Sequence, residues 1–179
     1  MLYLGIGTGR LAVPLHAAGI DLVGVDSHPG MLARLRERLP EVRTIQSRIE
    51  TLELGQRFEL VIAPANILYL VAGLRAAARH LEAKGALAIE LANPHWFRAG
   101  GGDRVRVRAF NGNEARLEID YELPDGATVT QDAEVALVWP EEVENWLAGG
   151  AGLKLRRMFG RPHADLTDSP SFYVVAGLQ

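Results

Sequence analysis

The sequence predicts an α/β fold in which helices cover both faces of a doubly wound, mainly parallel sheet. In the first half, short apolar runs alternate with amphipathic stretches, which is the strand–helix order of such a sheet. A glycine-rich loop follows the first apolar run directly. After residue 94 apolar and polar residues alternate singly, as in antiparallel strands. We therefore expect one domain over residues 1–179, with an antiparallel meander inserted at 95–139.

The apolar runs LYLGI and DLVGVD predict the first two strands, and the stretches RLAVPLHAAG and HPGMLARLRERL predict the helices after them. Ser27 is the expected N-cap of the second helix, because proline is tolerated in a first turn and Pro29 follows. Three further strands are expected at 42–45, 58–63 and 86–91, with helical structure from 67 to 81 that ends at Lys84-Gly85.

The meander begins with a strand at 104–109 that carries arginines on one face and apolar residues on the other. A three-residue loop at 111–113 places Arg106 opposite Glu118 and Val105 opposite Ile119, so charges and apolar residues match across both faces. The arginine face is then a salt-bridged surface rather than an anion site. A return strand reaches Trp139, a helix follows from 140, and two strands at 153–159 and 172–176 close the sheet.

Composition excludes several classes of function. The chain has 179 residues, a net charge of −3 and no cysteine, so it lacks the basic surface of a nucleic-acid-binding protein and any thiolate chemistry. No histidine pair has the spacing of a metal site. The sequence shows neither a signal-peptide plan nor an apolar run of roughly 20 residues, so we expect a cytoplasmic protein that does not act at a membrane.

The glycine loop and one acid indicate a nucleotide-like ligand. Gly5 can turn the chain out of the strand, Gly7 lets a ligand approach the backbone, and Gly9 lets a helix pack closely. Asp26 ends the second strand, where its carboxylate can accept hydrogen bonds from both hydroxyls of a ribose. Dinucleotide sites usually carry G-x-G-x-x-G, whereas this loop reads G-x-G-x-G.

The frame LYLGIGTGRLAVPLHAAGIDLVGVDSHPGML resembles the first two motifs of class I S-adenosylmethionine-dependent methyltransferases. The resemblance is close over residues 2–39 and looser to the last strand. It implies a Rossmann-like, seven-stranded sheet closed by an antiparallel strand pair, with S-adenosylmethionine as cofactor. By this resemblance the cofactor-binding residues are Gly5, Gly7, Thr8, Gly9, Asp26, Ser27, Arg48, Ile49 and Ala63.

Three features depart from the family pattern. Tyr3 stands where members commonly carry an acid two residues before the first glycine. Arg48 stands where many carry an acid for the adenine amine, and Glu50 is the alternative for that role. The segment that members carry before the first strand, which covers the cofactor, has no counterpart ahead of Leu2. We therefore expect a second copy to cover the pocket in a homodimer.

Candidate substrate residues lie after the fourth and fifth strands, at the carboxyl edge of the sheet. Asn66 and Tyr69 are candidates in APANILYL, a stretch without the Asn-Pro-Pro-Tyr sequence of nucleobase amino methyltransferases. His95 is the candidate catalytic base in ANPHWF, and Trp96 a candidate pocket wall. The alternative is that His95 is an ordinary loop residue and Trp96 an ordinary core residue, without a role in the site.

Together these observations predict methyl transfer from S-adenosylmethionine to a small molecule, or less favourably to a protein side chain, by direct in-line attack. The alternatives are a catalytically inactive, cofactor-binding subunit of an assembly and, more distantly, a nicotinamide-dependent oxidoreductase. No nucleic acid, membrane or metal partner is expected.

Overall fold

Two β-sheets organise the chain: a seven-stranded, mostly parallel sheet and a four-stranded antiparallel sheet. The structure is a computed structural model that describes residues 1–123, 125–161 and 169–179. The strands are β1 Leu2–Leu4, β2 Val23–Asp26, β3 Arg43–Gln46, β4 Phe58–Ala63, β5 Leu81–Ala92, β6 Gly101–Gly102, β7 Val105–Phe110, β8 Glu114–Glu122, β9 Thr128–Ala136, β10 Leu153–Phe159 and β11 Ser171–Leu178. The helices are α1 Ala12–Ala17, α2 Pro29–Arg38, α3 Val71–Arg79, α4 Pro94–Arg98 and α5 Val143–Ala151, with a single 3₁₀ turn at Pro140–Glu142 before α5.

The large sheet has the strand order β10-β11-β5-β4-β1-β2-β3. Strands β1 to β5 pair in parallel, whereas β11 runs antiparallel to β5 and β10 antiparallel to β11. The predicted doubly wound sheet with a closing antiparallel pair is therefore confirmed. The chain reverses its direction of winding between β1 and β4, and in open α/β sheets ligands bind at this switch point, beyond the carboxyl ends of the strands.

Helices bury apolar residues against both faces of this sheet. On one face, Leu74 of α3 and Leu147 of α5 are fully buried in a cluster that includes Phe172 of β11. On the other face, Leu32 and Leu35 of α2 pack in a cluster with Tyr3 of β1. The two clusters explain why the strands are near-continuously apolar, as strands buried on both faces are.

The second sheet, β6-β7-β8-β9, packs against the segment that follows β5. Ala115 and Leu117 of β8 are buried with Ala92 and Phe97, so the apolar face of the meander covers the carboxyl end of β5. The opposite face carries the charges. Arg106 bonds both Glu118 and Asp120 there, which confirms the salt-bridged face that the alternation of residues predicts.

The predicted pairs in the first hairpin are confirmed, but the turn differs. Val105 lies opposite Ile119 and Arg106 opposite Glu118, and the register then shifts at Arg108. The Asn111 amide donates to the Glu114 carbonyl at 3.0 Å, so the chain reverses within two residues. The turn is therefore one residue shorter than predicted, and the additional residue is Arg108, which forms a β-bulge in β7. The bulge keeps Arg106 opposite Glu118 and Val105 opposite Ile119 despite the shorter turn.

Strand β5 begins earlier than expected. The sequence predicts a helix to residue 81 and a strand from 86, but α3 ends at Arg79 and β5 starts at Leu81. The register against β4 jumps within this stretch, so residues 82–85 bulge out of the ladder. Gly85 marks the bulge because a Cβ there meets the Phe58 carbonyl oxygen at 2.9 Å. The Lys84-Gly85 pair therefore makes a bulge and not a helix end.

The N-cap of α2 is His28, not the predicted Ser27. His28 has an extended backbone, and its Nδ1 accepts a hydrogen bond from the Met31 amide at 3.3 Å. Because Pro29 is the first helical residue, the capping position falls on the residue directly before it. Ser27 lies one position too early to cap the helix.

Candidate functional site

The glycine loop lies at the switch point between β1 and β4. Gly5, Gly7 and Gly9 have φ values of 66°, 55° and 87°, which glycine adopts without steric cost. A Cβ at Gly5 meets Ile67 Cδ1 at 2.6 Å, and one at Gly9 meets Leu35 Cδ1 at 2.5 Å, whereas a Cβ at Gly7 meets nothing within 4 Å. Ile67 and Leu35 thus pack against the backbone at Gly5 and Gly9, whereas the backbone at Gly7 has open space beside it.

Asp26 is bound to that loop. Its Oδ2 accepts from the Gly7 amide at 2.9 Å, and its Oδ1 accepts from the His28 amide at 2.9 Å. Each carboxylate oxygen has two lone pairs, so both oxygens retain capacity for one further donor. The carboxylate therefore fixes the loop and still offers two acceptors to a pair of hydroxyl groups.

A cleft of about 460 Å³ opens beside Asp26. Five residues expected from the sequence meet there, together with Glu50, the alternative acid for the adenine amine, and two residues without an expected role, Ser47 and Ile67. Ile49 and Ile67 supply apolar surface. The Glu50 side chain is partly buried, with 30% of its surface exposed. The lining residues are Gly5, Asp26, Ser27, Ser47, Arg48, Ile49, Glu50 and Ile67.

Four predicted cofactor residues do not line this cleft: Gly7, Thr8, Gly9 and Ala63. Ala63 is fully buried in the main core, so its side chain faces away from any ligand. The Thr8 carbonyl accepts from Arg38 Nη1 at 2.9 Å, which ties the tip of the loop to α2. Tyr3 is buried in the sheet, and burial raises the pKa of its hydroxyl, which keeps it neutral at neutral pH.

The loop after β4 is strained and held by β5. Ala65 and Asn66 have φ values of 60° and 57°, which non-glycine residues seldom adopt. The Ala65 amide donates to Glu90 Oε2 at 2.9 Å, and the Asn66 amide donates to the Glu90 carbonyl at 3.1 Å. Strain of this kind is typical of functional loops, where the surrounding structure enforces it.

The Asn66 side chain joins three segments. Its Oδ1 accepts from the Ala92 amide at 3.0 Å, and its Nδ2 donates to the Ala136 carbonyl of β9 at 2.8 Å. The other two substrate candidates differ in exposure. Tyr69 is 40% exposed at the surface, whereas Trp96 packs edge-on against Phe97 and belongs to the core of the second sheet.

His95 lies at the start of α4, directly beyond the carboxyl end of β5. Its Nε2 is 2.6 Å from Glu141 Oε1 in the 3₁₀ turn, and its ring packs edge-on against Trp139 with 5.1 Å between centroids. The Trp139 indole donates to the Gly112 carbonyl at 3.0 Å. His95 is therefore a residue with a carboxylate partner and not an isolated loop histidine.

Sequence reasoning missed four residues of this region: Ser47, Ile67, Glu90 and Glu141. Ser47 and Ile67 adjoin residues that were candidates, so proximity in sequence was the available signal. Glu90 lies two residues before the end of the otherwise apolar final segment of β5, and a carboxylate in that position is a detectable signal. Glu141 is 46 residues from His95 in the chain, and no local pattern links the two.

A larger recess of about 560 Å³ lies at the amino ends of the strands, next to the start of β4. It is lined by Arg57, Arg75 and Arg79 with the glycines that end α5. It is more open to solvent than the Asp26 cleft and lies at the opposite end of the sheet from the glycine loop. We therefore place the candidate site at the smaller cleft.

Within the described ranges, no three His, Asp or Glu side chains are grouped to hold a metal ion. No described helix has the length and apolar content to cross a membrane.

Comparisons with known proteins agree with this geometry. Residues 1–85, which include the glycine loop and Asp26, match the family described as a methyltransferase domain. The curated cypemycin N-terminal methyltransferase of Streptomyces sp is 32% identical over 145 residues. The match covers 76% of this chain and 55% of the relative, so the chain spans little more than half the length of that protein.

Solved structures share the fold. The CcbJ methyltransferase from Streptomyces caelestis superposes with a TM-score of 0.76 at 24% identity, over 99% of this chain and 82% of that one. The glycopeptide N-methyltransferase MtfA complexed with (S)-adenosyl-L-methionine gives a TM-score of 0.74 at 20% identity, over 99% of this chain and 80% of that one. At these identities the likeness establishes the Rossmann-like fold.

Proposed function

We propose that this chain, which belongs to the class I S-adenosylmethionine-dependent methyltransferase family, binds S-adenosylmethionine in the Asp26 cleft and methylates a nitrogen atom of a small molecule. The observation that carries the proposal is the position of that cleft. It lies at the switch point of the sheet, lined by Gly5 of the glycine loop and by the Asp26 carboxylate, whose two oxygens each keep an acceptor position.

The residues of the cleft fit the parts of the cofactor. Asp26 offers its remaining lone pairs to the two ribose hydroxyls, as its place at the end of β2 predicts. Ile49 and Ile67 provide apolar surface for the adenine ring. Glu50 is the acid that can accept from the adenine amine, because Arg48 carries the wrong charge for that bond and is 75% exposed.

When bound, S-adenosylmethionine supplies a methyl group whose carbon–sulfur bond breaks with both electrons left on sulfur. The protein's own task is to hold an acceptor in line and to keep its nucleophilic atom unprotonated. The hydrogen bonds from Ala65 to Glu90 and from Asn66 to Ala136 fix the loop after β4, which leads into Ile67 of the cleft. His95 lies beyond β5 at the same edge of the sheet, where a base can take up the proton that the acceptor releases.

Two relatives support nitrogen as the acceptor atom. The curated relative is named for methylation at an N-terminus, and MtfA is named as a glycopeptide N-methyltransferase. Nitrogen also suits the site chemically, because an amine has to be deprotonated to attack, and the site contains a histidine with a carboxylate partner.

The test has a binding step and a transfer step. Calorimetry with S-adenosylhomocysteine and with NAD should show binding of the first alone; binding of NAD alone contradicts the proposal. Methyl-labelled S-adenosylmethionine is then offered with an amino sugar, a short peptide with a free N-terminus, a phenol and a carboxylic acid. Labelled amine product that Asp26→Ala abolishes supports the proposal. Binding without transfer to any acceptor identifies an inactive, cofactor-binding subunit.

We also propose that two copies associate in solution. Tyr69, Leu70 and Val71 form a run of exposed apolar residues beside the cleft, with exposures of 40%, 47% and 37%. Light scattering on the purified chain should give the mass of a dimer, and Leu70→Glu should give the mass of a monomer. Leu123→Glu, at an exposed apolar position directly after β8, is the control. The cytoplasmic location stays a prediction from the sequence.

A further inference from the structure

We propose that Glu141 is a positioning residue that holds the proton of the His95 ring on Nε2 and so leaves Nδ1 as the atom that accepts a proton from the acceptor amine. The inference rests on the proposed function, because it assigns the base of that reaction. It adds a second residue and a specific ring nitrogen, neither of which the sequence pattern indicates.

The contact between the two side chains is short and joins separate elements. His95 belongs to α4, and Glu141 belongs to the 3₁₀ turn before α5, with 2.6 Å between Nε2 and Oε1. Glu141 is ionised at neutral pH: its own backbone amide lowers the pKa of its carboxyl, and the hydrogen bond from His95 acts in the same direction. A carboxylate only accepts hydrogen bonds, so the ring nitrogen that faces it carries a proton.

The ring is also fixed in orientation. His95 packs edge-on against Trp139, whose indole is anchored on the Gly112 carbonyl. The guanidinium of Arg98 lies 5.2 Å from the centre of the Trp139 ring. Arg98 of the same helix thus lies against the Trp139 ring, and Glu141 of the 3₁₀ turn contacts the imidazole itself. With Nε2 held by Glu141 and the ring plane held by Trp139, rotation that exchanges the two nitrogens is opposed.

Fixing the tautomer determines the chemistry. A neutral imidazole with its proton on Nε2 has a lone pair on Nδ1. The N–H bond of the acceptor breaks, its electron pair stays on the acceptor nitrogen, and the proton joins Nδ1. The resulting imidazolium is positively charged, and the Glu141 carboxylate compensates that charge. A carboxylate that orients a histidine and stabilises its charged form is the arrangement that catalytic dyads use.

Nitrogen-15 NMR of the histidine ring tests the tautomer on the chain alone. In the wild type, and in the matched control Glu142→Ala in the same turn, the neutral His95 ring should carry its proton on Nε2. Glu141→Ala should give a mixture of the two tautomers. A wild-type ring protonated on Nδ1, or a ring that Glu141→Ala leaves unchanged, overturns the proposal.

Kinetics provide the second readout. Glu141→Ala and Glu141→Gln should each lower kcat about 10-fold or more, with the KM for S-adenosylmethionine unchanged, while His95→Ala loses about 10² to 10⁴-fold and recovers in part with added imidazole. An unchanged kcat in both Glu141 variants refutes the inference. Failure of S-adenosylhomocysteine to bind refutes the proposed function instead, and the NMR result still decides the tautomer.

Discussion

The Gly7 amide donates to Asp26 Oδ2 at 2.9 Å, and this bond joins the loop after β1 to the end of β2. Gly7 of the glycine loop and Asp26, which offers the carboxylate acceptors, therefore hold each other in place. A substitution of Gly7 or of Asp26 therefore alters the position of the other residue as well.

Replacement of the carboxylate should weaken binding of the cofactor product. Asp26→Ala removes the acceptor for the Gly7 amide and the acceptor proposed for the ribose, so we expect the Kd for S-adenosylhomocysteine to rise about 10 to 100-fold. Isothermal titration calorimetry measures this. Asp21→Ala, an exposed acid before β2, is the control and should leave the Kd unchanged. An Asp26→Ala variant that binds as tightly as the wild type removes Asp26 from the site.

Gly7 should matter for binding and Gly19 should not. Both have positive φ and open space at the Cβ position, so Gly7→Ala and Gly19→Ala should each lower the free energy of unfolding by about 1–2 kcal/mol. Only Gly7 lies in the loop that donates to Asp26, so only Gly7→Ala should weaken the binding of S-adenosylhomocysteine. Denaturant unfolding and calorimetry on the pair separate strain from recognition. Equal affinities in the two variants contradict the assignment of Gly7.

Hydrogen exchange should detect the bond by which Glu90 holds the loop after β4. Glu90→Ala removes the acceptor of the Ala65 amide, so exchange at that amide should accelerate by about 10-fold. The Asn66 amide donates to the Glu90 backbone carbonyl, which the substitution retains, and it serves as an internal control. Exchange resolved by NMR measures both amides. Equal acceleration at both sites means that Glu90 supports the loop by packing and not through this bond.

Acid should weaken the charged face of the second sheet. Hydrogen bonds from Arg106 and then from Thr130 lower the pKa of Asp120 from 3.8 to about 2. Because the folded pKa is the lower one, this carboxylate contributes stability above its ordinary pKa, and that contribution is lost as the pH falls from about 4 to about 2.

Arg106→Met should therefore lower Tm at pH 6 and have a much smaller effect at pH 2. Thermal unfolding by circular dichroism at both pH values measures the difference. Arg43→Met, on the edge strand β3, is the control for the loss of an exposed arginine. A Tm difference that persists undiminished at pH 2 shows that Arg106 acts through its aliphatic stem.

The sequence predicted best what depends on local backbone requirements. The glycine spacing and Asp26 were readable because a tight turn and a strand-end acid are coded within a few residues. The β5 bulge at 82–85 was not readable, because its cause is the approach of Gly85 to the Phe58 carbonyl on another strand. The contact between His95 and Glu141 could not be predicted either, because it joins residues that are 46 positions apart and forms only when α4 and the 3₁₀ turn meet.

The hairpin after β6 shows how a correct result can rest on a different mechanism. Matching charges across β7 and β8 predicted the pairs correctly, because burial of one face allows only one parity of register. The position of the extra residue is not fixed by that matching. A bulge at Arg108 and a longer turn are both compatible with the pairs at 105–107, and the chain adopts the bulge.

The side-chain amide of Asn66 connects the loop after β4 to two strands of different sheets, β5 and β9. Its Oδ1 accepts from the backbone of β5 and its Nδ2 donates to the backbone of β9, while the residue itself belongs to the strained loop directly before Ile67, which lines the cleft. A tilt of the meander by an ångström lengthens one of these bonds beyond hydrogen-bonding range. Movement of the second sheet relative to β5 is therefore transmitted to the loop after β4 through this one side chain.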